Sequence, residues 1–169
     1  RSSSAEHDAI REACSGAGMG LTLHVPSDVW WGNEVEKRSF LFSLCMQVCE
    51  PDVDWIFVFD GDDIVRKVPG DVCAQLAQTD RAVAEVQMVT MYDPQASGVV
   101  TQKASQPRRM LWKALPGLRV ERNHWTYVAG DGDGYRCLFG PPWAEPEDAL
   151  RFRGFVVEHR NHQRNRERA

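Results

Sequence analysis

The chain has 169 residues, of which 43% are hydrophobic and 26% are charged, a balance typical of one soluble globular domain. No stretch approaches the roughly 18 consecutive apolar residues of a membrane span, and no signal peptide opens the chain, so we expect a cytoplasmic protein without a membrane span. The five cysteines, an odd number without a Cys-x-x-Cys pair, argue against a disulfide framework or a zinc site and predict free thiols.

The first third of the chain contains two predicted helices. Ser4 can cap the first, whose apolar stripe is Ile10, Ala13, Cys14 and Ala17 and which ends at Gly16 and Gly18. A short strand is predicted at Leu21–Val25. Asn33 and Glu36 form a capping-box pattern that begins the second helix. That helix is expected to reach Cys49 and to bury Leu41, Leu44, Cys45 and Val48.

The next segment, Trp55–Phe59, is an apolar run followed at once by Asp60, Asp62 and Asp63. The run predicts a strand buried on both faces, as in the middle of a parallel sheet. Ligands of open α/β sheets bind beyond the carboxyl ends of the strands. Side chains two apart on an extended backbone point the same way, so Asp60 and Asp62 can converge on Mg²⁺ or Mn²⁺. An acidic turn is the alternative, since Asp and Gly are common turn residues.

The elements that follow become rich in strands. Pro69 begins a third helix that faces inward through Val72, Cys73 and Leu76, and Ala82–Tyr92 is a long strand. Asp93–Pro107 is predicted to be a loop or a short hairpin. Three further strands are predicted at Arg108–Lys113, Val120–Val128 and Gly154–Val157. Pro116-Gly117 and the glycine-rich run Gly130–Gly134 are predicted turns, the second within a hairpin.

The net charge of -4 is unevenly distributed. From Arg151 to Ala169 there are six arginines and two glutamates, a local charge of +4, so the rest of the chain carries -8. Such a basic tail can bind nucleic acid or the phosphates of a small ligand.

Taken together, these residues resemble the family-2-like glycosyltransferases of the GT-A fold. The resemblance lies in an ordered set: Lys37-Arg38, the strand and carboxylates from Trp55 to Asp63, Arg108, His124 and His159. It spans about residues 4 to 168 and implies an α/β fold with a GT-A-like mixed sheet flanked by helices and a Rossmann-like first half. The 169 residues would form one domain, with a nucleotide-sugar-binding half at 1–92 and an acceptor half with a closing tail at 93–169.

The resemblance also implies roles for individual residues. Asp60 would contact the nucleotide ribose and the metal, Asp62 would ligate Mn²⁺ or Mg²⁺ directly, and Asp63 would shape the turn. His159 would complete the metal shell. The donor, a UDP-, GDP- or dTDP-sugar, would meet the basic residues Lys37, Arg38, Arg108, Arg160 and Arg164 through its diphosphate.

The implied reaction is an inverting transfer of a sugar from the nucleotide to an unknown acceptor. A base deprotonates the acceptor hydroxyl, and the metal stabilises the departing nucleoside diphosphate. His124 is the candidate base, with Glu121 as the substitute because the family residue is an acid. Family members have a strand and loop upstream of the first helix, and this sequence starts at the helix. We therefore expect an incomplete donor site.

Two alternatives remain from the sequence. A phosphohydrolase of the haloacid-dehalogenase type also places Asp-x-Asp after a core strand, with the first aspartate as nucleophile. In that class the motif continues with Thr or Val near the start of the chain, whereas here Asp63-Ile64 follows. The other alternative is a non-enzymatic module whose basic tail binds nucleic acid, which predicts steep salt dependence.

Overall fold

The computed structural model describes residues 4–21, 33–61, 63–92, 102–122, 126–139 and 149–160. The chain divides into two compact units, Arg1–Gly32 and Asn33–Ala169. In the first unit the described element is helix α1, Ser4–Gly16. It begins and ends where the sequence predicts, and Gly18 beyond it has a φ of 67°.

The second unit contains helices α2, Glu34–Cys45, and α3, Val72–Gln78. The predicted cap of α2 is confirmed, because Asn33 Oδ1 accepts a hydrogen bond from the Glu36 backbone N–H at 3.0 Å. Its predicted buried face is wrong in part: Phe42 is buried, whereas Leu41 is 46% and Val48 is 81% exposed. The helix ends at Cys45, so Val48 lies beyond it, and Phe42 is the residue that the helix buries. No described helix has the length and apolar character needed to cross a membrane.

Five strands form a mixed sheet in the order β1-β4-β3-β8-β2. Their bounds are β1, Trp55–Phe57; β2, Asp63–Lys67; β3, Val83–Tyr92; β4, Gln102–Lys113; and β8, Leu150–Arg160. Strands β3 and β8 are parallel, and the other three pairs are antiparallel. The α/β class and the mixed sheet are therefore confirmed. The described strands of the first half do not form the expected Rossmann-like arrangement, because β1 pairs with β4 and β2 pairs with β8.

The strand buried on both faces is β3, not the predicted Trp55–Phe59. Within the described sheet β1 is an end strand, paired with β4 alone, and Phe59 beyond it is 47% exposed. Strand β3 lies between β4 and β8, and its residues Val83, Ala84 and Val86 are almost fully buried. An apolar run does not tell a central strand from an end strand, because a helix or a second sheet can cover the latter.

A second, antiparallel sheet has the order β5-β6-β7, with β5 at Arg119–Glu121, β6 at Thr126–Ala129 and β7 at Arg136–Phe139. The predicted strand Val120–Val128 is thus two strands that pair with each other. The predicted hairpin turn is confirmed between β6 and β7, where Gly132–Gly134 forms one 3-10 turn. Gly130 has a φ of 70°, and a Cβ there would collide with the carbonyl oxygen of Gly134.

Two hydrophobic clusters stabilise this unit. One joins α2, the end of β4 and the second sheet through Phe42, Trp112 and Tyr127, and the other packs α3 on the first sheet around Leu76 and Phe155. Within the first cluster, Trp112 and Tyr127 are stacked at 3.9 Å with an interplanar angle of 11°. The first cluster also contains Ile56 of β1, so it connects the second sheet to the strand that precedes the predicted acidic site.

Two other predictions are corrected or confirmed. Part of the predicted loop Asp93–Pro107 is strand, since β4 starts at Gln102 and Pro107 pairs with Gln87 of β3. All five cysteines are free, as predicted. Burial raises the pKa of the Cys45 and Cys49 thiols, which favours their protonated, unreactive form. The predicted strand Leu21–Val25 lies outside the described residues except for Leu21.

Candidate functional site

Three of the predicted site residues meet at the end of β1. Asp60 lies in the loop after that strand, Arg38 is in α2, and Arg108 is in β4. Arg38 Nη2 is 3.6 Å from Asp60 Oδ1, and Arg108 Nη2 is 3.9 Å from Asp60 Oδ2. The sequence predicted these residues as neighbours, and the fold brings them together from separate elements.

These three residues line a cavity of about 340 Å³. The cavity is bounded by α2, the loop after β1, the first sheet and the second sheet. Among the described residues, the charged members of its wall are three arginines and two carboxylates, Arg38, Arg108, Arg109, Asp60 and Glu85. Its apolar wall includes Trp112, Tyr127 and Phe139. A concave site with an apolar wall and a few convergent polar groups is the usual form of a small-molecule site.

The turn that carries Asp60 is fixed by Asp63. The Asp60 backbone N–H donates to Asp63 Oδ2 at 3.1 Å, and the Asp63 N–H donates to the Asp60 carbonyl at 3.0 Å. The other carboxylate oxygen, Asp63 Oδ1, is 2.8 Å from His159 Nδ1 in the neighbouring strand. The Asp63 side chain is 1% exposed. Asp63 therefore holds the turn, as the resemblance implies, and also links it to β8.

Arg38 is held at the cavity by several partners. Its Nη1 donates to the Tyr127 hydroxyl at 3.3 Å, and its Nε is 3.6 Å from Glu34 Oε2. Burial opposes the positive charge of Arg38, but Tyr127, Asp60 and Glu34 outweigh it and raise the pKa of the guanidinium above its ordinary value. Arg38 therefore presents a permanent positive charge to the cavity.

Three buried N–H donors in the cavity wall have no hydrogen-bond acceptor among the described residues. They are Arg38 Nε, Arg109 Nη1 and Trp112 Nε1. Buried polar groups are nearly always hydrogen-bonded in native proteins, and an unpaired one costs roughly 1–3 kcal/mol. Spare donors, and more arginines than carboxylates among the described residues of the wall, suit a ligand that is negatively charged and rich in acceptor oxygens.

The cavity wall also contains an ion-pair cluster around Glu85, which was not predicted from the sequence. Glu85 Oε1 is 3.3 Å from Arg109 Nε, and Glu85 Oε2 accepts from Arg151 Nε at 2.9 Å. The side chains of Glu85 and Arg109 are each 10% exposed. The available signal was a glutamate in a long strand of mostly apolar residues, since a buried carboxylate requires a cationic partner.

Other predicted site residues have partners of their own. Lys37 Nζ is 3.6 Å from Glu34 Oε1, and Arg160 Nε donates to Glu158 Oε1 at 2.8 Å. Glu121 Oε1 is 2.7 Å from Arg119 Nη2, and Glu121 Oε2 accepts from the Tyr135 hydroxyl at 3.3 Å. These contacts do not place Lys37, Arg160 or Glu121 beside Asp60. Three predicted residues, Asp62, His124 and Arg164, lie outside the described residues.

Whether the site can bind a metal ion depends on which oxygen and nitrogen atoms are available as ligands. Over the described ranges, no group of three or more His, Cys, Asp and Glu side chains is arranged to hold a metal ion. The ion pairs of Asp60 are longer than hydrogen bonds, so its carboxylate retains capacity for a hard cation. A carboxylate oxygen only accepts, so His159 Nδ1 donates to Asp63. Metal-binding histidines commonly have such a carboxylate partner.

The site is thus a cavity with a pair of arginines around one carboxylate, a fixed turn beside it and a buried ion-pair cluster in its wall. Comparisons of the chain with protein-family models, with curated proteins and with solved structures gave no match.

Proposed function

We propose that the chain is a metal-dependent glycosyltransferase that takes its sugar from a nucleoside-diphosphate donor bound in the cavity at Asp60. The observation that carries the proposal is the convergence of Arg38 and Arg108 on Asp60 at the end of a strand. Paired guanidinium groups are the usual protein partners of phosphate oxygens. The acceptor is unknown, and the GT-A assignment of the fold belongs to this proposal.

The spare donors of the cavity support a phosphate-rich ligand. Arg38 Nε is buried and makes no hydrogen bond among the described residues, since Glu34 Oε2 is 3.6 Å away, and it belongs to the side chain that contacts Asp60. A diphosphate supplies several acceptor oxygens, each of which can satisfy one such donor. Ion pairs of 3.6 and 3.9 Å are loose enough for the arginines to transfer part of their interaction to a bound phosphate.

Mn²⁺ or Mg²⁺ would be held by Asp60, Asp62 and His159. When bound, the cation would neutralise charge on the departing nucleoside diphosphate. Asp63 contributes by fixing the Asp60 turn and by orienting His159 through Nδ1. The role of Asp62 remains a prediction from the sequence.

The acceptor base remains a prediction as well. His124 lies outside the described residues. Glu121 is 30% exposed, and its carboxylate already binds Arg119 and Tyr135. Between the two predicted candidates, His124 is therefore preferred.

A phosphohydrolase fits the geometry less well. Its nucleophilic aspartate would follow a core strand and would be open to attack a phosphorus atom. Asp60 follows an end strand of the described sheet, not a central one. The nucleic-acid alternative depends on the tail, which lies outside the described residues beyond Arg160.

The test is calorimetric titration of UDP, GDP and dTDP into the protein, with and without Mn²⁺. We expect one nucleotide to bind in a Mn²⁺-dependent manner. Asp62→Asn should abolish that dependence and leave the fold intact, whereas Asp131→Asn, at a side chain that is 84% exposed, should bind like the wild type. Nucleotide binding that ignores Mn²⁺ in the wild type, or that is unchanged in Asp62→Asn, would contradict the metal assignment.

A further inference from the structure

Arg109 is the most constrained cation of the cavity wall. Its side chain is only 10% exposed, and its guanidinium carbon lies 4.5 Å from the centre of the Phe139 ring. Nε is engaged with Glu85 Oε1 at 3.3 Å, whereas Nη1 is buried without an acceptor among the described residues. The stack on Phe139 and the contact with Glu85 fix the guanidinium, so Nη1 is a pre-organised donor.

The backbone fixes the contact between Arg109 and Glu85. In the β3–β4 ladder Arg109 is the direct partner of Glu85, and Arg108 is the partner of Val86. Directly opposite side chains of an antiparallel pair lie close together. Arg108 and Arg109 both line the cavity, although successive side chains of a regular strand point to opposite faces.

The described part of the cavity wall carries a positive surplus, because its three arginines and two carboxylates have a net charge of +1. Both oxygens of Glu85 have partners, Arg109 on one and Arg151 on the other. Arg151 is 74% exposed and outside the cavity wall, so Arg109 is the partner of Glu85 that lines the cavity. A neutral hydroxyl would satisfy Nη1 but would leave the surplus charge of the wall unbalanced.

We propose that Arg109 binds a second anionic group of the substrate, a carboxylate or a phosphate, separate from the diphosphate assigned to Arg38 and Arg108. This inference rests on the proposed function and deepens it, because it makes the sugar an acidic one. The anion would accept a charge-assisted hydrogen bond from Arg109 Nη1 in a buried setting, where such bonds are strongest.

The test compares UDP-glucuronate with UDP-glucose, which differ by a carboxylate in place of a hydroxymethyl group. If the nucleotide tests above favour GDP or dTDP, the same two sugars on that nucleotide are used. We expect the wild type to bind the glucuronate form at least about 10-fold more tightly, since a charge-assisted hydrogen bond contributes roughly 1.5–3 kcal/mol. Arg109→Gln should reduce this preference to about 1-fold.

Arg151→Gln is the matched control, because it also removes a partner of Glu85 but is not in the cavity wall; it should keep the preference. Arg109→Lys, which keeps the charge beside Glu85, should retain part of the preference. Free glucuronate and free glucose 6-phosphate, each titrated against glucose, show which anion is preferred. Equal binding of acidic and neutral sugars by the wild type, or a preference that survives in Arg109→Gln, would overturn the inference.

The two proposals fail in different ways. If the nucleotide binds but the acidic sugar has no advantage, the anion site is wrong and the donor site stands. If no nucleotide binds, the donor proposal fails, and the free sugars alone decide the anion site. A preference for glucuronate or glucose 6-phosphate over glucose that depends on Arg109 would then still support it.

Discussion

The cavity wall contains two carboxylates, Asp60 and Glu85, that the protein treats differently. Asp60 is 31% exposed, and its arginine contacts are 3.6 and 3.9 Å long. Glu85 is 10% exposed, and its contacts with Arg109 and Arg151 are 3.3 and 2.9 Å. The first carboxylate is loosely paired at an open position, and the second is tightly paired and buried.

This difference indicates separate roles for the Asp60 and Glu85 regions of the site. Loose, solvent-accessible ion pairs contribute little to stability and can rearrange when a ligand arrives. A buried pair is costly to break, so it fixes the groups that form it. We infer that the Asp60 region exchanges partners with the ligand, whereas the Glu85 region acts as a rigid wall.

The largest expected effect is on stability at Glu85. Glu85→Gln leaves Arg109 as an unpaired buried charge, and we expect a loss of about 3–5 kcal/mol in the free energy of unfolding. Urea denaturation followed by tryptophan fluorescence measures it. Asp60→Asn is the paired control and should change the free energy by about 1 kcal/mol or less. Similar losses in both variants would remove the distinction between the two regions.

A substitution of Asp63 tests whether the turn next to Asp60 belongs to the loosely paired part of the site or to the buried part. Its side chain is 1% exposed, accepts from the Asp60 N–H and contacts His159, although it is only three residues from Asp60. We expect Asp63→Asn to lose about 2–3 kcal/mol of unfolding free energy, since hydrogen bonds to charged groups contribute roughly 1.5–3 kcal/mol. The same denaturation experiment measures it. A loss as small as that of Asp60→Asn would mean that the turn does not depend on Asp63.

A smaller effect is expected at Glu158 as a function of pH. Hydrogen bonds from Arg66 and Arg160 lower its pKa from 4.5 to about 2. A depressed folded pKa stabilises the protein above pH 4.5, and this stabilisation is lost as the pH falls towards 2. Its size should be about 1 kcal/mol, because Arg66 and Arg160 are 47% and 46% exposed.

The measurement is the difference in unfolding free energy between the wild type and Glu158→Gln. It should be about 1 kcal/mol at pH 7 and should approach zero near pH 2. A difference that is constant across this range would mean that the ion pairs of Glu158 do not contribute.

Local patterns in the sequence predicted elements better than they predicted the sheet. The cap at Asn33, the strand Ala82–Tyr92 and the hairpin turn at Gly130–Gly134 each depend on residues close in the chain, and each is confirmed. The central strand was misplaced, because Trp55–Phe59 is as apolar as a central strand, but within the described sheet its strand β1 pairs with β4 alone. Pairing is decided by distant segments, which a local pattern does not contain.

The candidate site was also predicted in part: the residues with a local signal were identified, and one that depends on strand pairing was not. Acidic residues after a strand indicated the position of Asp60, and its arginine neighbours Arg38 and Arg108 were predicted with it. Arg109 was missed, although it follows Arg108 directly. Regular alternation predicts that it points to the opposite face from Arg108, and its pairing with Glu85 depends on the register of β3 and β4, which a local pattern does not contain.

The most direct test of the central claim is the affinity of the preferred nucleoside diphosphate for Arg38→Gln, measured by calorimetry in the presence of Mn²⁺. The control is Arg66→Gln, which removes an arginine from an exposed ion pair with Glu158, away from the cavity wall. If the diphosphate binds in the cavity, Arg38→Gln should weaken it by about 10- to 100-fold and Arg66→Gln should not. Equal affinities in the wild type and both variants would contradict the proposed donor site.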